Sequence, residues 1–308
     1  MKKSLIALAA LGYFGTAMAQ SSVTLYGVAD AAIGKAKSSG DTRVNMKSAS
    51  IMNNGSSRVG IRGVEDLGGG LKAGFNFETG LSLEDGTPAT AGGGFWGRHS
   101  YAWLAGNWGT FKMGRTLNPS FYGAAAWELT GFANYSVIAN TFGAAGTNGR
   151  NNSQLAYKTP NLGGFSAELG YVFKDDNGGN QKWDVNAIYT GGPVRVGLSV
   201  NKTKSAKTNY ALGGKYEFGN FLIAASYQSI NPTANMRRRG VSIGGTARLS
   251  NFSLTLDLTR DTKNDLGKKY TNGLVEGKYA LSKRTFLYAA YLRLNGDNNY
   301  SFGMRHNF

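Results

Sequence analysis

Residues 56–80 read SSRVGIRGVEDLGGGLKAGFNFETG. In the first half Val59 and Ile61 alternate with Arg58, Gly60 and Arg62. After a glycine-rich turn, Leu71, Ala73, Phe75 and Phe77 alternate with Lys72, Gly74, Asn76 and Glu78. Successive side chains on a strand point to opposite faces. The stretch therefore reads as a hairpin with one oily flank and one charged flank, and the fold turns on which flank meets water.

The same alternation recurs along the chain, at 22–34, 56–66, 70–82, 97–106, 109–116, 151–159, 164–173, 182–190, 194–202, 208–218, 221–229, 239–249, 252–260, 270–280, 284–293 and 299–308. Short turns such as LGGG, GNWG and GGP alternate with longer polar stretches, including 35–55, 83–96 and 117–150. That rhythm predicts an up-and-down meander of sixteen strands, each near the ~9–11 residues of a tilted membrane-spanning strand. One parity is apolar, as in Phe252, Leu254, Leu256 and Leu258, and the other polar, as in Ser253, Thr255, Asp257 and Thr259. Sixteen strands enclose a space too wide for side chains to fill. Polar groups inward and apolar groups outward make that space an aqueous channel through a bilayer. Both termini fall on the short-turn side, and the first and last strands must pair because lipid satisfies no open edge. Aromatics near strand ends, among them Tyr101, Trp103, Trp108, Phe111, Tyr216, Phe218, Tyr279 and Phe308, suit interfacial girdles. The expected fold class is all-β: a 16-stranded antiparallel transmembrane β-barrel.

Composition narrows the function. The chain has 308 residues, 45 glycines, 5 prolines, no cysteine and a net charge of +16. Such a charge alone suggests a nucleic-acid partner. However, residues 1–19, MKKSLIALAALGYFGTAMA, carry the basic start, apolar core and small-residue end of a secretory signal peptide. The mature domain then spans 20–308, and export removes the nucleic-acid reading. After residue 19 no segment reaches the ~20 consecutive apolar residues of a membrane helix. Catalysis finds no constellation: of two histidines, His306 shares parity with Phe302 and Phe308, and His99 follows Arg98, so both read as outward-facing. No metal-ligand cluster stands out, and no cofactor is expected.

The mature start SSVTLYGVADAAIG, the hairpin SRVGIRGVEDLGGGLKAGFNFETG, the block GRHSYAWLAGNWGTFKMGR and the ending YSFGMRHNF resemble the trimeric general porins of Gram-negative outer membranes, β-proteobacterial branch. Phe308 resembles the terminal phenylalanine read by the insertion machinery. The resemblance implies a homotrimer in the outer membrane and a third long loop folded into the lumen as a constriction. Here that loop is 117–150. It is far longer than ordinary loops, and Phe121, Tyr122, Trp127, Phe132, Tyr135 and Phe142 argue that it packs on the barrel wall. The resemblance also implies an arginine cluster facing the loop: Arg58, Arg62, Arg98 and Arg150, with Glu78 as a lumenal acid. Parity agrees for Arg58 and Arg62. Glu128 is the one acid in 117–150, so the constriction is expected to be net positive. As in relatives, Glu84 or Asp85 of the second loop is expected to reach Arg115 of a neighbouring subunit.

Parity places Asp30, Lys158, Lys215, Arg248, Lys278 and Arg305 in the lumen as well. Basic groups lead there, and guanidinium stays charged at ordinary pH. The expected function is passive diffusion of small hydrophilic solutes and ions with preference for anions. A substrate-specific channel is the alternative. Arg237, Arg238 and Arg239 follow an extracellular loop and suit either lipopolysaccharide phosphates or a solvated rim.

Overall fold

The structure, a computed structural model, describes residues 21–89, 94–233 and 236–308. Residues 1–19, read above as an expected signal peptide, lie outside the described residues. The strands are β1 (Ser22–Lys35), β2 (Asn45–Lys47), β3 (Arg58–Gly68), β4 (Leu71–Gly80), β5 (His99–Gly106), β6 (Gly109–Leu117), β7 (Arg150–Lys158), β8 (Phe165–Val172), β9 (Lys182–Gly191), β10 (Val194–Thr203), β11 (Asn209–Phe218), β12 (Phe221–Thr233), β13 (Met236–Leu249), β14 (Phe252–Asn264), β15 (Thr271–Ala280), β16 (Thr285–Leu294) and β17 (Asp297–Asn307). From β3 to β17 each strand pairs antiparallel with the next. β1 closes the ring by dividing its length: Ser22–Val28 pairs with β3 and Val28–Lys35 with β17. The closed wall thus has sixteen strands. β2 is an addition the sequence reading lacked; it lies beside Ala32–Gly34 of β1 and is too short to show a period.

The orientation of the faces is plain on β14. Leu256 is 52% exposed on the outside, whereas its neighbours Thr255 and Asp257 are each 1% exposed inside. A water-soluble domain reverses this. Outward rings pair across strands, as with Phe165 and Tyr189 at 4.5 Å between centroids. Among the described residues no helix is long and apolar enough to cross a membrane. At the β3–β4 turn Gly68, Gly69 and Gly70 all have positive φ, a reversal open to glycine without steric cost.

The interior is not polar throughout. The third long loop returns into the barrel and packs Trp127, Tyr135, Val137 and Ile138 in one buried cluster with Leu274, Tyr288, Ala290 and Leu292 of the wall. The buried core therefore lies inside the barrel, beneath the loop. β16 is apolar on both faces because it is covered on both.

Two expectations need correction. His99 lies directly opposite Glu78, Tyr101 opposite Asn76, and Trp103 opposite Gly74 and Lys112. Directly paired residues share a face, so His99, Tyr101 and Trp103 line the lumen and do not face lipid. The error came from counting Arg98 within the strand. The strand begins at His99, and Arg98 belongs to the preceding loop.

Candidate functional site

The inward loop has three moorings. A first helix, Pro119–Ala125, starts with Asn118 accepting from the Phe121 amide at 2.9 Å and proline in the first turn. It is bound to β9 and β10. The Ser120 amide and hydroxyl both donate to Asp184 Oδ1, at 2.7 and 2.6 Å, and Asn186 Nδ2 donates to the Pro119 carbonyl at 2.8 Å. Helix and wall touch through glycine: a Cβ on Gly197 would stand 2.1 Å from the Gly123 carbonyl oxygen. A second helix, Val137–Phe142, is capped by Ser136 and meets β14 and β15 through Thr141, Thr259 and Asn272. Between them the tip is tied to the segment before β3. The Asn134 amide donates to the Asn54 carbonyl at 3.2 Å, and Asn54 Nδ2 donates to the Tyr135 hydroxyl at 2.7 Å.

The inward loop narrows the lumen, and the opening beside it holds a cavity of about 340 Å³ lined by Arg58, Arg150, Arg305 and Glu78 of the strands, by Arg98 just before β5, and by Phe121 and Phe132 of the loop. Each guanidinium is steadied along one edge. Arg98 Nε lies 2.6 Å from Glu78 Oε1, and Arg58 Nε lies 3.4 Å from Glu78 Oε2. Arg150 Nε donates to the Arg98 carbonyl at 2.7 Å. Arg305 Nη1 donates to Asn54 Oδ1 at 2.8 Å. The Tyr26 hydroxyl stands 3.0 Å from Glu78 Oε2.

The structure thus brings Arg58, Arg98, Arg150 and Glu78 together. Arg62 is lumenal but lies beyond the opening, stacked over the Tyr26 ring at 5.3 Å. Glu128 is not at the passage. It is 2% exposed, folded into the loop, and its carboxylate accepts from Thr130 Oγ1 at 2.6 Å, Ser136 Oγ at 2.8 Å and the Phe132 amide at 2.7 Å. Three donors close at hand explain why it turns inward. Arg305 is part of the cluster though the sequence placed it only somewhere in the lumen. Its signal was parity on the last strand, without a marker of height.

Of the other lumenal residues, Asp30 is locked in the wall, accepting from the Tyr288 hydroxyl at 2.6 Å, Asn53 Nδ2 at 3.0 Å and the Gly55 amide at 2.8 Å. Lys158 stands opposite Glu168 near the short-turn rim. Lys112, also inward, meets Glu168 at 2.5 Å. Lys215 Nζ is 3.5 Å from the Glu128 carbonyl, and Arg248 Nη1 pairs with exposed Glu217 at 2.5 Å. At the long-loop rim Glu84 accepts from the Ser48 amide at 2.6 Å within its own chain, and Arg115 Nε donates to the Gly97 carbonyl at 2.6 Å. Arg238 is turned inward in a two-bond pair with Asp261, at 2.8 and 3.0 Å, so it is no contact for lipid phosphates; Arg237 and Arg239 have the outward parity.

Known proteins carry the same design. A family model described as Gram-negative porin matches residues 5–299. Outer membrane porin protein 32 of Delftia acidovorans is 32% identical, across 99% of this chain and 93% of its own. The solved structure of an anion-selective porin from Comamonas acidovorans superposes with a TM-score of 0.79 at 26% identity, covering 94% of this chain and 100% of that one. OmpT of Vibrio cholerae, at 17% identity and a TM-score of 0.70 over 94% of this chain and 99% of that one, shares the fold. With the family match running along nearly its whole length, this chain belongs to the Gram-negative porins, and its barrel is a water-filled path through the outer membrane by which small hydrophilic solutes diffuse passively.

Proposed function

We propose that the channel prefers anions and that Arg58, Arg98, Arg150 and Arg305 set the preference. The supporting observation is the charge balance of the opening: four guanidiniums and one carboxylate, with the loop's acid folded away. The Comamonas relative is described as anion-selective. The magnitude is sufficient. One net charge ~7 Å away shifts a monovalent ion by roughly 0.6 kcal/mol even at the dielectric constant of water. Anion and cation shift in opposite directions, so they separate by about 1.2 kcal/mol, close to tenfold, per net charge. Low-dielectric walls raise this and salt lowers it. The test is the reversal potential in a potassium chloride gradient across planar bilayers. Wild type is expected to favour chloride, and the Arg58→Gln, Arg98→Gln, Arg150→Gln triple variant to lose most of that preference. Cation preference in the wild type would sink the reading.

We also infer a homotrimer that sits among outer-leaflet lipids. Small outward residues of β1, Ala29 and Ala31, leave room for close protein contact, and Arg115 is the residue a neighbour's second loop would meet. Arg237 and Arg239 suit lipopolysaccharide phosphates. Migration of unheated, cross-linked protein on gels tests the trimer; a monomer band alone would refute it.

A further inference from the structure

The space that holds the arginines is also lined by rings. Phe121 and Phe132 come from the inward loop, with centroids 4.7 Å apart, and both line the same space as Arg58, Arg98, Arg150 and Arg305. Neither ring is fully buried.

Phe132 is held there against its backbone preference. Its φ is 56°, in the left-handed region that bulky residues seldom adopt. Such a conformation persists only where the surroundings over-determine it. Here the means are visible. Gly131 before it also has positive φ, the Glu128 carboxylate accepts the Phe132 amide at 2.7 Å, and the Phe121 ring packs against it. Glycine at this position would make the same turn without strain, but no ring would stand at the passage. Glu128 is thereby a positioning residue: it acts on the opening through the ring whose amide it binds.

An opening lined by both guanidiniums and phenyl rings is amphipathic. We propose that it selects small carboxylates that carry an aromatic ring, the carboxylate lying among the four arginines and the ring against Phe121 and Phe132. Planar guanidinium also stacks on aromatic faces, so a bound ring has partners on both sides. The space, about 340 Å³, is at the small end of cavities that take organic ligands. This proposal rests on the anion preference argued above and goes further, because charge alone does not separate one monocarboxylate from another.

The experiment compares benzoate with acetate as blockers of the chloride current of the wild-type channel in planar bilayers at neutral pH, where both are ionised. Added ring contacts predict that benzoate halves the current at about tenfold lower concentration than acetate. Phe121→Leu, which keeps bulk and removes the ring, is expected to shrink that ratio to about threefold, and Phe121→Ala with Phe132→Ala to bring the two acids together. Equal block of wild type by benzoate and acetate, with a chloride-selective reversal potential intact, overturns this inference alone. A cation-selective reversal potential would instead remove the reading on which it rests.

Discussion

Arg98 Nε and Glu78 Oε1 lie 2.6 Å apart at the narrowing, and the same carboxylate is the nearest acid to Arg58. Glu78 thus neutralises part of the cluster it holds together. Its side chain is only 6% exposed, so the pair is largely removed from water.

Replacing Glu78 should therefore act in two directions. Glu78→Gln keeps the shape and removes the opposing charge, so the reversal potential in a salt gradient should move further toward that of a perfect chloride channel. Two guanidiniums lose their partner, and breaking a buried pair costs ~3–5 kcal/mol. The heating temperature at which the barrel loses its folded gel mobility should fall. A variant with weaker anion preference would contradict this account.

Position in the lumen should matter more than charge as such. Arg305 borders the opening, whereas Arg248 is 52% exposed beside Glu217. Exposed pairs contribute ~0–1 kcal/mol. Arg305→Gln is expected to reduce the chloride-to-potassium permeability ratio several-fold, in line with the ~1.2 kcal/mol per charge argued above, while Arg248→Gln leaves it within experimental error. Equal effects from the two would mean that the narrowing does not set selectivity.

Glu128 should govern steadiness of the current. Glu128→Ala strands the Thr130 and Ser136 hydroxyls and the Phe132 amide inside the loop. Each buried donor left unpaired costs ~1–3 kcal/mol. Single-channel records should show a noisier open level and a larger mean conductance as the loop loosens. A quiet record at wild-type conductance would show that the loop does not depend on this acid.

The first long loop should respond to acid. Lys47 and the Ala36 amide, which donates to Asp41 Oδ2 at 2.7 Å, hold the Asp41 carboxyl below the usual carboxylate range. A lowered value in the folded loop means that this contribution is complete above the ordinary carboxylate value and is lost as pH falls through the lowered one. Hydrogen exchange at Ala36 and Gly40 should be insensitive to this group from pH ~7 down to ~5 and should quicken, beyond the intrinsic pH effect, only in stronger acid. Asp41→Asn should quicken it at neutral pH; unchanged exchange in that variant would refute the assignment.

Strand number and facing were legible because they follow from repetition: an oily residue every second position and turns of two alternating lengths. From repetition alone the site was legible only where it sat on a strand; Arg98 and Arg150 were named from the family resemblance. Arg58 was readable from its neighbour Val59, and Arg305 from its parity on the last strand. His99, Tyr101 and Trp103 were misread because parity requires a known starting residue, and one loop residue counted as strand reverses everything after it. The direction of Glu128 had no periodic signal; hydrogen bonds within an irregular loop decide it. One clue was present in TFLYAAYLRL, residues 285–294, where the polar parity is missing and both flanks of β16 are oily. A strand with no wet flank is covered on the inside too, and that marks where the loop docks.

The inward loop is fastened to β9 and β10 by its first helix and to β14 and β15 by its second, two separate arcs of the wall. It is a brace pinned at both ends, not a flap on a hinge. Swinging it aside would mean breaking both ends at once, so the gauge of the passage is as fixed as the cylinder that carries it. Traffic through each copy is then metered by an aperture whose inner edge is pinned at both ends.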